Sequence, residues 1–281
     1  MLATTTAETT ERRLIDHDAA HAAAALAAGH PIGHAFANFY VITTRADRGT
    51  VRGINLMKGR PPEQVGSITA PPSRIPDVWD FDLLPEGLNR RSVLQVIDTF
   101  FAMGPFGFLG PAARHLPDHL TFPIGELRTA QVIAPGYACP SNDFLLRSLQ
   151  VTGDDFLYIT SANRSRHLTG ADDSPAHWTA AGLDAEFGDE PGFVLLEHPD
   201  EAAARARYPR YLPMSTTILG FHRNVEVTGD PRPQLTLERH GSLHVDDVRA
   251  VLEELGFGLV IGPKARTRLT QRDYSERLSD R

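Results

Sequence analysis

Apolar positions recur at helical spacing in some stretches of this chain and run unbroken in others, and the two patterns alternate. An alanine-rich run over residues 19–28 stops at Gly29, as a glycine-closed helix should, with Asp16 placed to cap it. A β-prone stretch follows over 36–43, and a second helix over 48–57 delivers Lys58 at its C-terminal end. Val93, Val96, Ile97, Phe100 and Phe101 share one face of a helix over 92–103. The segment Gly104-Pro105-Phe106-Gly107-Phe108-Leu109-Gly110-Pro111 breaks that helix and reads as a tight, exposed loop. A strand is expected near 130–134, then a helix capped by Ser141 and reaching Gln150, then an apolar strand over 156–160. More strands are expected near 192–196, 215–221 and 234–239. Val245, Val248, Leu252 and Leu255 share one side of a helix over 245–255, and an apolar strand over 256–261 comes next.

Residues 61–90 are rich in proline and polar side chains and read as a long loop with the length of a functional lid. Residues 1–14 read as a flexible lead, 15–263 as one domain, and 264–281 as a charged tail without a core face. No internal repeat or linker divides the chain. Interspersed helices and strands predict a single α/β domain built on a mixed sheet. With 281 residues and 41% hydrophobic content, the chain can fill such a core.

Charge and cysteine usage narrow the function. A net charge of −7 argues against broad electrostatic binding to a nucleic-acid backbone, though it permits a local basic cleft. The single cysteine, Cys139, excludes an intrachain disulfide and a cysteine-only metal cage, and fits a reducing cytosol. No run approaches the roughly 18 apolar residues of a membrane helix. The threonine-rich start lacks the basic and apolar regions of a secretory signal. A cytoplasmic protein without a membrane partner is expected. His17 and His21 have the spacing of a zinc pair but no third ligand, so they read as surface histidines, and no metal site is expected.

Two short motifs carry the chemistry. Ser161-Ala162-Asn163 follows the apolar run ending at Thr160, so two uncharged side chains that both donate and accept stand at a strand end. Far upstream, Lys58-Gly59-Arg60-Pro61 sets an ammonium and a forked guanidinium either side of one glycine, a pair suited to a triphosphate.

In that order and spacing the chain resembles the YrdC-like family, the threonylcarbamoyl-AMP synthases. The family pairs Lys-x-Arg-Pro with a later Ser-x-Asn-x-Ser, here Ser161-Ala162-Asn163-Arg164-Ser165. Its Ser-Thr-Val strand start and Leu-Arg-x-Gly turn resemble Ser215-Thr216-Thr217 and Arg239-His240-Gly241. The likeness spans residues 15–260. The family's threonine-binding Pro-Thr-Asp/Glu-Thr-x-Tyr segment corresponds to Ala35-Phe36-Ala37-Asn38-Phe39-Tyr40, where only the tyrosine is kept. Ile133 stands in place of an arginine, Met214 in place of an acid, and Arg166 in place of a glycine.

The resemblance implies a twisted mixed sheet flanked by helices, with a concave cleft. It implies a nucleotidyltransferase that joins ATP, bicarbonate and L-threonine into threonylcarbamoyl-AMP and pyrophosphate for tRNA modification, with Mg2+ carried by the ATP. Lys58, Arg60, Ser161 and Asn163 are then the catalytic candidates. Ser165, Ser215 and Arg239 join them on ATP, and Asn38 and Tyr40 meet the amino-acid-like acceptor. Two alternatives stand beside this: a divergent enzyme with another acceptor, and a non-catalytic module binding nucleotide or RNA.

Overall fold

The computed structural model describes residues 13–15, 18–165 and 174–275. Strand β1 (Arg13–Ile15) and helix α1 (Ala19–Ala27) precede the hairpin β2 (Ile32–Phe36) and β3 (Phe39–Arg45). Helix α2 (Arg48–Met57) leads to β4 (Ser67–Thr69), and α3 (Arg90–Met103) to β5 (Phe106–Pro111), β6 (Phe122–Ile124) and β7 (Leu127–Ala134). Next come α4 (Ser141–Thr152), β8 (Leu157–Ser161), α5 (Ala180–Phe187), β9 (Val194–Glu197) and α6 (Glu201–Arg207). The chain closes with β10 (Ile218–Gly220), β11 (Gln234–Arg239), α7 (Val245–Glu254) and β12 (Gly258–Ile261). All twelve strands join one twisted mixed sheet in the order β1-β9-β2-β3-β8-β4-β7-β5-β10-β11-β12, with β6 pairing beside β7. Helices flank it, so the expected single α/β architecture is the one found.

Local chemistry explains the element starts. Asp47 caps α2 by accepting from the Thr50 amide at 3.0 Å, and Asn89 and Ser92 form a reciprocal capping box on α3. Helix α4 departs from expectation. Pro140 occupies its cap position, and Ser141 is its first helical residue with its hydroxyl against Cys139 Sγ. The Asp16 cap of α1 lies outside the described residues. The hairpin pairs Phe36 with Phe39, so only Ala37 and Asn38 make the turn. Ala37 takes a φ of 62°, as two-residue turns demand, at a cost of about 1–2 kcal/mol for a residue with a Cβ.

Three sequence expectations are corrected. Gly104–Pro111 is not an exposed loop: β5 is buried along its whole length, parallel to β10 and antiparallel to β7. Its glycine at 110 marks a close approach, since a Cβ there would fall 2.1 Å from the Phe221 ring. Nor is 61–90 a lid. It contributes β4, an interior strand between β8 and β7, and buries Trp79, whose indole donates to the Ala130 carbonyl at 3.1 Å. A three-residue strand is too short for alternation to announce it.

Finally, the described part of the C-terminal segment is not peripheral. Leu269 N donates to the His240 carbonyl at 2.9 Å. Arg268 donates to the Gly241 and Ser242 carbonyls at 3.0 and 2.7 Å, and Arg272 to the Pro175 carbonyl at 2.7 Å. Guanidinium-to-carbonyl bonds hold this segment, and hydrophobic periodicity cannot reveal them.

Candidate functional site

The Lys58-Gly59-Arg60 corner is built by the way α2 ends. Arg60 N donates to the Asn55 carbonyl at 2.8 Å and Gly59 N to the Leu56 carbonyl at 2.9 Å, the two bonds of a Schellman cap. That cap needs a left-handed residue, and Gly59 supplies it at φ 74°. Lys58 and Arg60 thus stand either side of the reversal, and both reach the end of β8. Asn55 then fixes the loop beyond the corner: its side-chain amide donates to the Pro62 and Gln64 carbonyls at 3.1 and 2.8 Å and accepts from the Tyr158 hydroxyl.

The second motif meets this corner directly. β8 pairs with β3 and β4 and ends at Ser161. The fully buried Lys58 donates through Nζ to the Ser161 carbonyl, and Ser165 N donates back to the Lys58 carbonyl at 2.7 Å. Arg60 Nη1 reaches Thr160 Oγ1 at 2.7 Å. The Ser161 hydroxyl donates to Asn163 Oδ1, and the Asn163 amide donates to the Arg164 carbonyl at 3.0 Å, so the turn is closed on itself. Arg239, the last residue of β11, forks onto the Thr216 carbonyl and hydroxyl at 2.7 and 2.8 Å. Burial, and then the nearby Arg60, lower its guanidinium to about 10.

Two cavities of 160 and 180 Å³ share Arg60, Ser161, Ser215 and Arg239 in their walls. The first runs over the sheet across Phe39, Val41, Gln64, Ser67, Gln131, Ile133 and Ile159. The second continues past Asn163 to Leu269 and Thr270 of the C-terminal segment. Among the described residues no carboxylate lines either one. Two guanidiniums, hydroxyls and a carboxamide, with no acid among the described lining residues, make a hollow suited to an anion.

The structure thus brings together Arg60, Ser161, Asn163, Ser215 and Arg239, with Lys58 and Ser165 on the wall behind. Asn38 and Tyr40 do not join them. Phe39 and Val41 line the cleft, and the alternation of β3 turns Tyr40 to the opposite face. There its hydroxyl donates to Glu201 Oε1 at 2.8 Å and accepts from His198 N at 3.1 Å. Burial, with the Glu201 carboxylate close by, raises its phenol well above the usual range. Asn38 sits in the hairpin turn and donates to the Tyr211 carbonyl at 2.9 Å.

Sequence reading missed Gln64, Ser67, Gln131 and Thr216. Gln131 alone had a signal, a polar residue between Ala130 and Val132 in a buried strand; Gln64 and Thr216 lie outside strands and β4 is too short to show a period. His17 lies outside the described residues, while His21 is exposed beside Asp18. No group of three or more His, Cys, Asp or Glu side chains that could hold a metal occurs among the described residues. No helix among the described residues is long and apolar enough to cross a membrane.

No family model matches the chain, and no curated protein matches its sequence. Solved structures do match. A doubly substituted P. abyssi Sua5 aligns with TM-score 0.60 and 18% identity over 90% of this chain and 64% of its own. P. abyssi Sua5 complexed with L-threonine gives 0.57 and 16% over 92% and 67%. The protein smu.1377c from Streptococcus mutans UA159 gives 0.56 and 14% over 84% and 91%. The chain spans about two thirds of the length of the Sua5 chains. At such identities the likeness is one of architecture, and the chain has the fold of the Sua5/YrdC proteins.

Proposed function

We propose that this chain forms a carbamoyl-type adenylate. In that reaction an anionic oxygen of a bound carbamate attacks the α-phosphorus of ATP, the bond to the β-phosphate oxygen breaks, and pyrophosphate leaves. The work is positioning and charge neutralisation, with no side-chain nucleophile required. Arg60 and Arg239 hold phosphate oxygens, Ser161 and Asn163 orient the phosphate–carbonyl region, and Ser215 closes the nucleotide side. Lys58 adds positive potential from behind the Ser161 carbonyl and fixes the turn that presents the hydroxyl and amide. The observation that carries this reading is the convergence of Lys58, Arg60, Ser161, Asn163 and Arg239 from separate elements.

The solved Sua5 complexed with L-threonine supports an amino-acid-derived acceptor, and with it a role in tRNA modification. A cytoplasmic location is part of the same proposal. One observation favours a second reading, a non-catalytic nucleotide- or RNA-binding module. Lys58, Arg60 and Arg239 each already donate to protein oxygens. Pyrophosphate release from ATP and bicarbonate with a panel of acceptors decides between them. Release with threonine supports the tRNA-modification enzyme, release with another acceptor supports a divergent enzyme, and none with any acceptor leaves the binding module.

A further inference from the structure

The sheet face inside the first cavity carries an apolar patch that the adenylate chemistry leaves unused. Phe39 and Val41 of β3, Ile133 of β7 and Ile159 of β8 line it. With Phe36 and Ala176 these four form a small apolar cluster separate from the main core. Ile133 is the most accessible of them, at 8%. Val41, Ile133 and Ile159 are β-branched and therefore stiff at χ1, and the Phe36 ring braces Phe39 edge-on at 5.7 Å. The patch is shaped in advance. Hydroxyls interleave with it, since Val41 stands opposite Ser161 and Ile159 opposite Ser67 across the strands. Each of those hydroxyls already has a protein partner: Ser161 donates to Asn163 Oδ1, and Ser67 accepts from Gln131 Nε2 at 2.6 Å.

Size and charge choose the occupant. The cavity measures 160 Å³, and one of about 150 Å³ takes a molecule the size of benzene. A short branched side chain fits that space, whereas a purine with its ribose exceeds it. Arg60 and Arg239 stand in the same wall, so the ligand carries negative charge at its other end.

We propose that the patch of Phe39, Val41, Ile133 and Ile159 receives a short branched aliphatic side chain, so that the acceptor is an aliphatic amino acid rather than a hydroxyamino acid. The proposal rests on the adenylate-forming reading and names the substrate class of that site. L-Valine and L-threonine are isosteric and differ by a methyl in place of a hydroxyl. A hydroxyl set against Ile133 gives up its water to face carbon, so valine should be favoured by about tenfold to a hundredfold.

Pyrophosphate release by the full chain with ATP and bicarbonate, read as kcat/KM for the two amino acids, tests this ranking. Calorimetry of the same pair, on the chain alone and on the chain saturated with a non-hydrolysable ATP analogue, tests it without turnover. Valine should lead in each. Ile133→Thr sets a hydroxyl on the patch through a residue that strands favour, and should bring the two amino acids within about threefold. Val41→Thr does the same from β3 and replaces the first variant if that one loses its native circular dichroism. Threonine equal to or ahead of valine, no binding of either, or an unchanged ranking in the folded variant overturns the proposal. Failure of the ATP analogue to bind sinks the adenylate reading instead, and the ranking on the chain alone still decides the patch.

Discussion

The ammonium of Lys58 donates to the carbonyl oxygen of Ser161, 103 residues further along the chain, and the amide of Ser165 donates back to the carbonyl of Lys58. This reciprocal pair ties the end of α2 to the end of β8 and sets the cleft wall. Lys58→Met keeps most of the aliphatic stem and removes only the charge and its donor. We expect pyrophosphate release to fall about a hundredfold or more, the loss typical of one pre-organised donor. Circular dichroism should stay native. An unchanged rate would show that Lys58 serves the fold alone.

Arg60 and Arg239 differ in how they are held. Arg60 donates to the Thr160 hydroxyl at the rim of the cleft, so Arg60→Ala should cost about 2.7–4 kcal/mol of transition-state stabilisation, read as kcat/KM for ATP. Arg239 forks onto both oxygens of Thr216, and a lysine cannot span that pair. Arg239→Lys should therefore raise KM for ATP about tenfold with a smaller change in kcat. Equal losses in both constants would place Arg239 in the chemical step instead.

Tyr40 lies on the face of β3 away from the cleft, between Glu201 and His198 N. Tyr40→Phe should leave acceptor KM unchanged and lower unfolding free energy by about 1–2 kcal/mol, since the half-buried Glu201 carboxylate and His198 N each lose a hydrogen bond. Denaturant titration and steady-state kinetics on the same variant separate the two effects. A rise in acceptor KM at constant stability would return Tyr40 to the binding site.

These placements show how much of the site could be read in advance. Lys58-Gly59-Arg60 and Ser161-Ala162-Asn163 were legible because each is a local event, a helix cap and a strand-end turn. Tyr40 was misplaced because a motif matched by linear resemblance carries no information about which strand face a residue takes. Gln64 and Ser67 went unnoticed because a loop and a three-residue strand inside a proline-rich stretch show no period, and Gln131 because one polar position within an expected strand does not announce a cleft. β5 was hidden by its own glycines, which the sheet needs for packing against Ile218 and Phe221 and which otherwise signal a loop. The C-terminal segment carries no apolar face, so its bonds to carbonyls and to the Glu186 carboxylate reveal where its described part lies.

Glu186 joins the Ser161–Asn163 turn to that segment. Its carboxylate accepts from Arg164 N at 2.6 Å, His177 Nε2 at 2.7 Å and Arg272 Nη1 at 3.0 Å. Burial alone would raise this carboxyl, but the bond from His177 and the other donors outweigh it and hold it at about 2. The native state thus binds this proton more weakly than the unfolded chain, so the stabilisation is complete above pH 4.5 and drains away between pH 4.5 and 2. Glu186→Gln should lower stability at neutral pH by about 2–3 kcal/mol and flatten the acid limb in that window. Limited proteolysis should also cut the variant earlier near Arg272. A variant with wild-type acid sensitivity would mean that other carboxylates set that limb.

A separate, milder window belongs to the buried histidines. His34 is fully buried, its Nε2 bonded to Thr43 Oγ1 at 2.8 Å, and burial lowers it from 6.5 to about 4. Burial, followed by the Arg223 charge, lowers His222 likewise to about 4. Between pH 6.5 and 4 the unfolded chain takes up protons that the native state refuses, so stability falls as pH falls and levels off below pH 4. From pH 7 to 5 each histidine should remove about 2 kcal/mol of unfolding free energy. Denaturant midpoints measured across that range check the sum. His34→Gln keeps a partner for Thr43 without the titration and should halve the slope; an unaltered slope would assign it to other groups.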